Sequence, residues 1–279
     1  MTSGDPVLSR VLTGTDGSPR AEEAVRQGAR LAAATGAVLE VAFVVDTGRS
    51  HEGDVEHEAE SILGRAAAIA AEAGVGVDTR ILAGDPATTL VEEAAEEGAD
   101  LIGIGPDAGL IGGAIRIGQV AAHVLREAAC SVLIARPSPA FPSRIACGVD
   151  GSDPSAETAA FAAALAAATG AELRLVHVIP VFRGRDDEWI LEEGEASPPE
   201  LEASVAAASA LGVVPVREMA MGRPEHALVK VAGRDGTDLL VVGHHGVSGM
   251  RRVLLGSVSE YCSHHAPCSV LIARLRRPD

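Results

Sequence analysis

Fifteen residues near the C-terminus, GHHGVSGMRRVLLGS (243–257), hold four glycines, two histidines and two arginines directly after the apolar run DLLVV. Gly243 and Gly246 let a main chain come close to a ligand with no Cβ in the way. Gly256 and Ser257 introduce a helix, so the amides of Ser257, Val258 and Ser259 would point at an anion with the helix dipole behind them. Arg251 and Arg252 add positive charge from the loop. This chemistry suits a phosphate chain. It is not that of a Walker A loop, because no Gly-Lys-Ser/Thr follows and Lys230 is the only lysine of the chain.

Simpler roles compete for the same residues. SVSE (257–260) reads as a capping box, with the Ser257 hydroxyl on its own helix and Glu260 reaching back. His244 and His245 are adjacent on a loop and would diverge, and neither they nor His264 and His265 have a third ligand at useful spacing, so no metal site is assigned. Asp16 and Asp150 each precede Gly-Ser, where aspartate commonly makes a turn. GIGPDAG (103–109) looks like a degenerate dinucleotide loop, but it follows the fourth strand of its unit, not the first, and is set aside.

The elements that must position these residues are written twice. RVLTGTDGSPRAEEAVRQGARLAAATGA from Arg10 aligns without a gap to RIACGVDGSDPSAETAAFAAALAAATGA from Arg144, an offset of 134; DLIGIG at Asp100 matches DLLVVG at Asp238, and CSVLIAR at Cys130 recurs at Cys268, an offset of 138. The four extra residues fall in the acidic stretch RGRDDEWILEEGEASPPE. PSPAFPS (137–143), with three prolines, is the natural linker, which places domains at 1–140 and 141–279.

In each copy a strand (Val7 to Thr13; Ile145 to Val149) leads through a turn into an Ala-rich helix with a proline, Pro19 or Pro154, just inside its start. Strands follow at Val38 to Val45 and Leu173 to Ile179, at Val77 to Leu82 and Val213 to Met219, and at Leu101 to Ile104 and Leu239 to Val242; SVLIA is the fifth. Apolar runs alternating with helices predict an α/β fold: two similar doubly wound, Rossmann-like domains, each on a five-stranded parallel sheet. Ligands of such sheets bind beyond the carboxyl ends of the strands, where strand order reverses. Neighbouring first and fourth strands bring the turn at Asp150 and the loop at Gly243 to one crevice.

Bulk composition narrows the function. Apolar residues make up 47% of the 279, enough for two cores, but aromatics only 2%, and net charge is −16. A nucleic-acid binder needs a basic face and stacking rings, and this chain has neither in composition. Cys130, Cys147, Cys262 and Cys268 form no C-x-x-C pair and read as reduced, buried thiols of a cytoplasmic protein. The first ten residues lack the apolar run of a secretory leader, and no segment is long enough to span a membrane.

The spacing Gly243-x2-Gly246-x9-Gly256-Ser257 resembles the nucleotide signature of the universal stress protein family, as do GVDGS, LVHV, GRPEHALVKVA, DLLVVGHHG and LLGSVSEYCSHHAPCSVLIAR. The resemblance covers both repeats, and the chain looks like a tandem member. It implies that Asp150 and Gly151 lie by the adenine and ribose, that Val178 packs on the base and that Gly222 lines its pocket. Gly243 and Gly246 then flank ribose and phosphates, while Gly256, Ser257, Val258 and Ser259 hold the phosphate chain of ATP, with Mg²⁺ on it. In the first copy Asp16, Val44, Gly84, Gly105 and Gly118 match, but Ala108 replaces the second glycine, Gln119 replaces the serine and Pro106 removes an amide. That predicts a weakened first site.

The reading is an ATP-binding, stress-associated regulator whose occupancy alters what its surface engages, with no catalytic residue assigned. A partner-binding module with vestigial crevices and a slow Mg-dependent ATPase are the alternatives. Family domains pair through the last strand, so the matched CSVLIAR strands imply an internal pseudo-dimer of the repeats, and homodimers beyond it.

Overall fold

A computed structural model describes residues 6–48, 55–106, 110–111, 114–115, 117–180, 199–234, 236–244 and 255–275. The chain forms two compact units, one spanning Leu8–Pro137 and the other containing Ser138–Asp279.

In the first unit β1 (Arg10–Gly14), α1 (Pro19–Thr35), β2 (Val38–Asp46), α2 (Val55–Glu72), β3 (Val77–Gly84), α3 (Pro86–Glu96) and β4 (Leu101–Ile104) follow in turn. A short antiparallel pair comes next, β5 (Leu110–Ile111) and β6 (Ala114–Ile115), where the sequence suggests only a loop. Helix α4 (Gln119–Glu127) and β7 (Ser131–Ile134) complete the unit. The strands run parallel in the order β3-β2-β1-β4-β7.

The second unit repeats this plan: β8 (Arg144–Val149), α5 (Asp153–Thr169), β9 (Glu172–Pro180), α6 (Pro199–Ser209), β10 (Val216–Gly222), α7 (Pro224–Ala232), β11 (Leu239–Gly243), α8 (Ser257–His265) and β12 (Ser269–Ala273). Its order is β10-β9-β8-β11-β12, all parallel. In each unit the first strand sits between the second and the fourth, so strand order reverses beside it. Right-handed crossovers then send the first two helices to one face and the last two to the other. Contacts of α1 with α2, α3 with α4, α5 with α6 and α7 with α8 agree with that division.

Local chemistry explains the boundaries. Ser18 and Ser152 cap α1 and α5 by accepting from the amides of Ala21 and Ser155. Gly36 and Gly170 end those helices with φ of 74° and 72°, a left-handed turn that suits glycine. The first strand begins at Arg10, not Val7, because the amides of Ser9 and Arg10 are held by the Asp100 carboxylate, at 2.7 and 3.2 Å. Asp238 does the same for Ser143 and Arg144, at 2.8 and 3.2 Å. β10 starts at Val216, not Val213, since Pro215 has no N–H to give a ladder.

The cores are aliphatic. Val11, Leu101, Val132 and Leu133 in one unit, and Leu175, Leu240, Val241 and Leu271 in the other, are fully buried. No helix among the described residues is long and apolar enough to cross a membrane.

Candidate functional site

Beside β8 the sheet of the second unit reverses order. Ile145, Ala146 and Cys147 lie opposite Leu239, Leu240 and Val241 of β11, so the two strands end on the same edge. The chain leaves β8 at Asp150, β9 after Val178 and β10 at Gly222. Gly256 is the cap residue of α8. Asp150, Gly151, Val178, Gly222, Gly243, Gly256, Ser257, Val258 and Ser259 therefore belong to the carboxyl edge of one sheet or to the helix start beside it. Gly246, His245, Arg251 and Arg252 lie outside the described residues.

Asp150 is first a turn residue. Its Oδ1 accepts from the Ser152 amide at 3.1 Å and from the Ser152 hydroxyl at 2.6 Å, and its own amide donates to Ser155 Oγ at 2.9 Å. Gly151, with φ of 82°, completes the turn. Beneath it the Cys147 thiol is fully buried, and burial pushes its pKa up to about 12, which keeps it protonated and unreactive. Val178 is buried and lies opposite Ala220 of β10, whose terminal Gly222 has φ of 129°.

The start of α8 corrects the capping-box reading. Gly256, not Ser257, is the cap residue, and no side chain caps the helix. Ser257 is instead the first helical residue, and it is exposed. Among the other helices, α1, α3 and α5 carry the oxygen caps Ser18, Asp85 and Ser152, whereas α4 opens on Gly118 without a side-chain cap. An oxygen cap already occupies a first-turn amide, as at Asp85. There the Thr88 amide and hydroxyl hold the Asp85 carboxyl below its ordinary range. At α8 no such oxygen meets the first-turn N–H groups among the described residues, an arrangement suited to binding an anion.

Two hydrogen bonds join that helix end to β11. The Gly256 amide donates to His244 O at 3.0 Å, and Ser259 Oγ donates to Gly243 O at 2.5 Å. A Cβ on Gly256 would stand 3.0 Å from His244 O, a tight contact that favours glycine. The Ser259 hydroxyl is thus occupied by main chain, a role that its place in the motif does not reveal.

In the first unit Asp16 and Gly17 make the corresponding turn, with the Ser18 amide on Asp16 Oδ1 at 2.9 Å. Val44 and Gly84 lie at the ends of β2 and β3, and Gly118 caps α4. Gly105 packs against main chain: a Cβ there would come within 2.8 Å of the Arg20 carbonyl. Ala108 lies outside the described residues. Among the described residues no group of three or more His, Cys, Asp or Glu side chains could hold a metal ion.

The sequence also hides a buried charge cluster in each unit. Glu40 on β2 is ion-paired with Arg80 of β3 and with Arg10, at 3.3 Å each. Arg174 on β9 meets Glu218 of β10 at 2.9 Å. Charged residues inside VLEVAFVV and ELRLVHVI were the available signal.

Comparison with known proteins agrees with this duplicated architecture. The profile of the universal stress protein family matches residues 8–136 and again residues 142–274. A universal stress protein of Mycobacterium tuberculosis is 30% identical over 292 aligned residues, covering 95% of this chain and 96% of its own. One from Bacillus subtilis is 34% identical over 140 residues, 45% of this chain and 95% of its own. The crystal structure of a universal stress protein from Archaeoglobus fulgidus superposes with a TM-score of 0.73 at 20% identity, covering 95% of this chain and 98% of that one, a likeness of fold. With two profile matches and a full-length tandem relative, the chain belongs to the universal stress protein family.

Proposed function

We propose that this protein binds an adenine nucleotide, ATP with Mg²⁺, in the crevice of its second unit, and that occupancy changes the surface offered to a regulatory partner in a stress response. The observation that carries the reading is the start of α8: a helix without an oxygen cap, opening on Gly256 at the edge where β8 and β11 end. In this reading the amides of Ser257, Val258 and Ser259 receive the phosphates, and Gly243 and Gly246 give them room. Asp150 and Gly151 border the ribose, and Val178 and Gly222 take the base. The first unit keeps Asp16, Val44, Gly84, Gly105 and Gly118 but carries Pro106 and Gln119 at its phosphate end, and binds more weakly.

Calorimetric titration of the full chain with Mg-ATP tests this. The expected result is one dominant site per chain, weakened by Gly256→Val, whose Cβ would crowd His244 O at 3.0 Å. Equal binding by the variant and the parent protein, or no heat from the parent at millimolar nucleotide, would overturn the proposal.

A further inference from the structure

The two units differ at the stem of the glycine-rich loop. In the second, three hydrogen bonds gather the ends of strand, loop and helix: His244 N to Ala273 O at 3.0 Å, Gly256 N to His244 O at 3.0 Å, and Ser259 Oγ to Gly243 O at 2.5 Å. Ser259 is buried, with 3% of its surface exposed. In the first unit the aligned residues are Pro106 for His244 and Ala121 for Ser259. Proline has no N–H and alanine no hydroxyl, so two of the three donors are gone. Yet β4, α4 and β7 form in that unit as β11, α8 and β12 form in this one, and Ala121 is equally buried. The hydroxyl is therefore no condition of the fold.

We propose that Ser259 is a positioning residue for the anion-binding end of the second crevice, an inference that rests on the function proposed above. Its hydroxyl does two things. It fixes the first turn of α8 against the last residue of β11, so the amides of Ser257, Val258 and Ser259 keep one spacing from Gly243. It also occupies the Gly243 carbonyl oxygen, a partial negative charge at the end of β11 that would otherwise oppose a phosphate. A serine in this turn can instead bond back to a carbonyl of its own helix; here its hydroxyl reaches across to Gly243 O.

The test uses the full chain and the variants Ser259→Ala and Ser259→Thr. Ala121 shows that the fold accepts alanine at this place. Ser259→Ala should weaken Mg-ATP about tenfold, the scale of one lost hydrogen bond, and Ser259→Thr, which keeps the hydroxyl, should restore affinity to within about twofold. A Ser259→Ala variant that binds like the parent protein, or a Ser259→Thr variant as weak as Ser259→Ala, would overturn the assignment. In ligand-free protein, the hydrogen-bonded amides that flank this turn, those of Gly256 and Glu260, should exchange hydrogen faster in Ser259→Ala while the rest of the unit is unchanged. Unaltered exchange there refutes the positioning role even if nucleotide binds. Failure of the parent chain to take up nucleotide refutes the proposed function, and exchange then decides the role of Ser259 by itself.

Discussion

The two units set opposite charges across the same strand pair with the signs exchanged, and each buries the carboxylate. Glu40 on β2 faces Arg80 on β3, whereas the aligned residues of the second unit are Arg174 on β9 and Glu218 on β10. The third partners are reversed as well. Arg80 also meets Glu93 and Glu97 from the α3 region, at 2.9 and 2.7 Å, while Glu218 meets Arg234 just after α7. A negative–positive–negative cluster in one copy is a positive–negative–positive cluster in the other. In both copies opposite charges meet across this strand pair, whichever strand carries which. In each the third partner, from the helix region behind, matches the sign of the β2 or β9 residue.

The packing beneath the first helix has been traded in the same grouped way. A Cβ on Gly28 would stand 2.5 Å from Thr13 Cγ2, and one on Gly103 would stand 2.9 Å from it. The second unit has Ala162 and Val241 at the glycine positions and Cys147, which lacks that methyl, in place of threonine; all three are fully buried. By contrast Gly14 beneath Leu90 and Gly148 beneath Leu228 are kept in both, because a Cβ there would stand 2.7 and 2.9 Å from the leucine methyl.

The largest effect is expected from breaking the charge pattern. Glu40→Arg sets a third guanidinium beside Arg10 and Arg80 at a fully buried position, and should cost the first unit about 3–5 kcal/mol in urea melts. Exchanging both signs, Glu40→Arg with Arg80→Glu, should leave most of that loss in place, because Glu93 and Glu97 would then face a new carboxylate. Full recovery would show that the strand pair alone matters.

Next in size, Gly103→Val should cost about 1–3 kcal/mol by overpacking, and adding Thr13→Cys should recover much of it. A double-mutant cycle with no coupling would refute the packing account.

Smallest is a pH effect. Burial raises the Glu40 pKa above 4.5, opposed by Arg80 and helped by Glu93. The native state then holds this proton more tightly than the unfolded chain. The resulting stability is present below pH 4.5 and is lost as pH rises through the higher folded value. Glu40→Gln should therefore gain on the parent protein as pH increases above 4.5, read from urea midpoints; a pH-independent difference would contradict it.

Much of this was legible in the residues. The repeat offset, the proline-led helices and the five apolar runs of each copy anticipate two parallel sheets, because period and punctuation are local properties. The motif also puts its first glycine at the carboxyl end of the fourth strand, where β11 ends at Gly243. The start of α8 was read less well. SVSE fits a capping box, but the helix begins one residue earlier than that box implies, at Ser257 with Gly256 as its cap, and the hydroxyl that reaches β11 belongs to Ser259. Nothing in the order of residues says that Ser259 would reach Gly243, sixteen positions back. Likewise Asp100 and Asp238 read only as repeat landmarks; that each carboxylate holds two main-chain amides of the first strand needs the sheet to be assembled.

By itself, then, the sequence determined the duplication, the order of strands and helices and the glycine positions that leave main chain accessible, since these rest on backbone preferences within a few residues. Tertiary structure alone decided which amides remain uncapped, which hydroxyl is already engaged and how the exchanged charges meet. Those are distances between groups far apart in the chain, and only packing brings them within reach of one another.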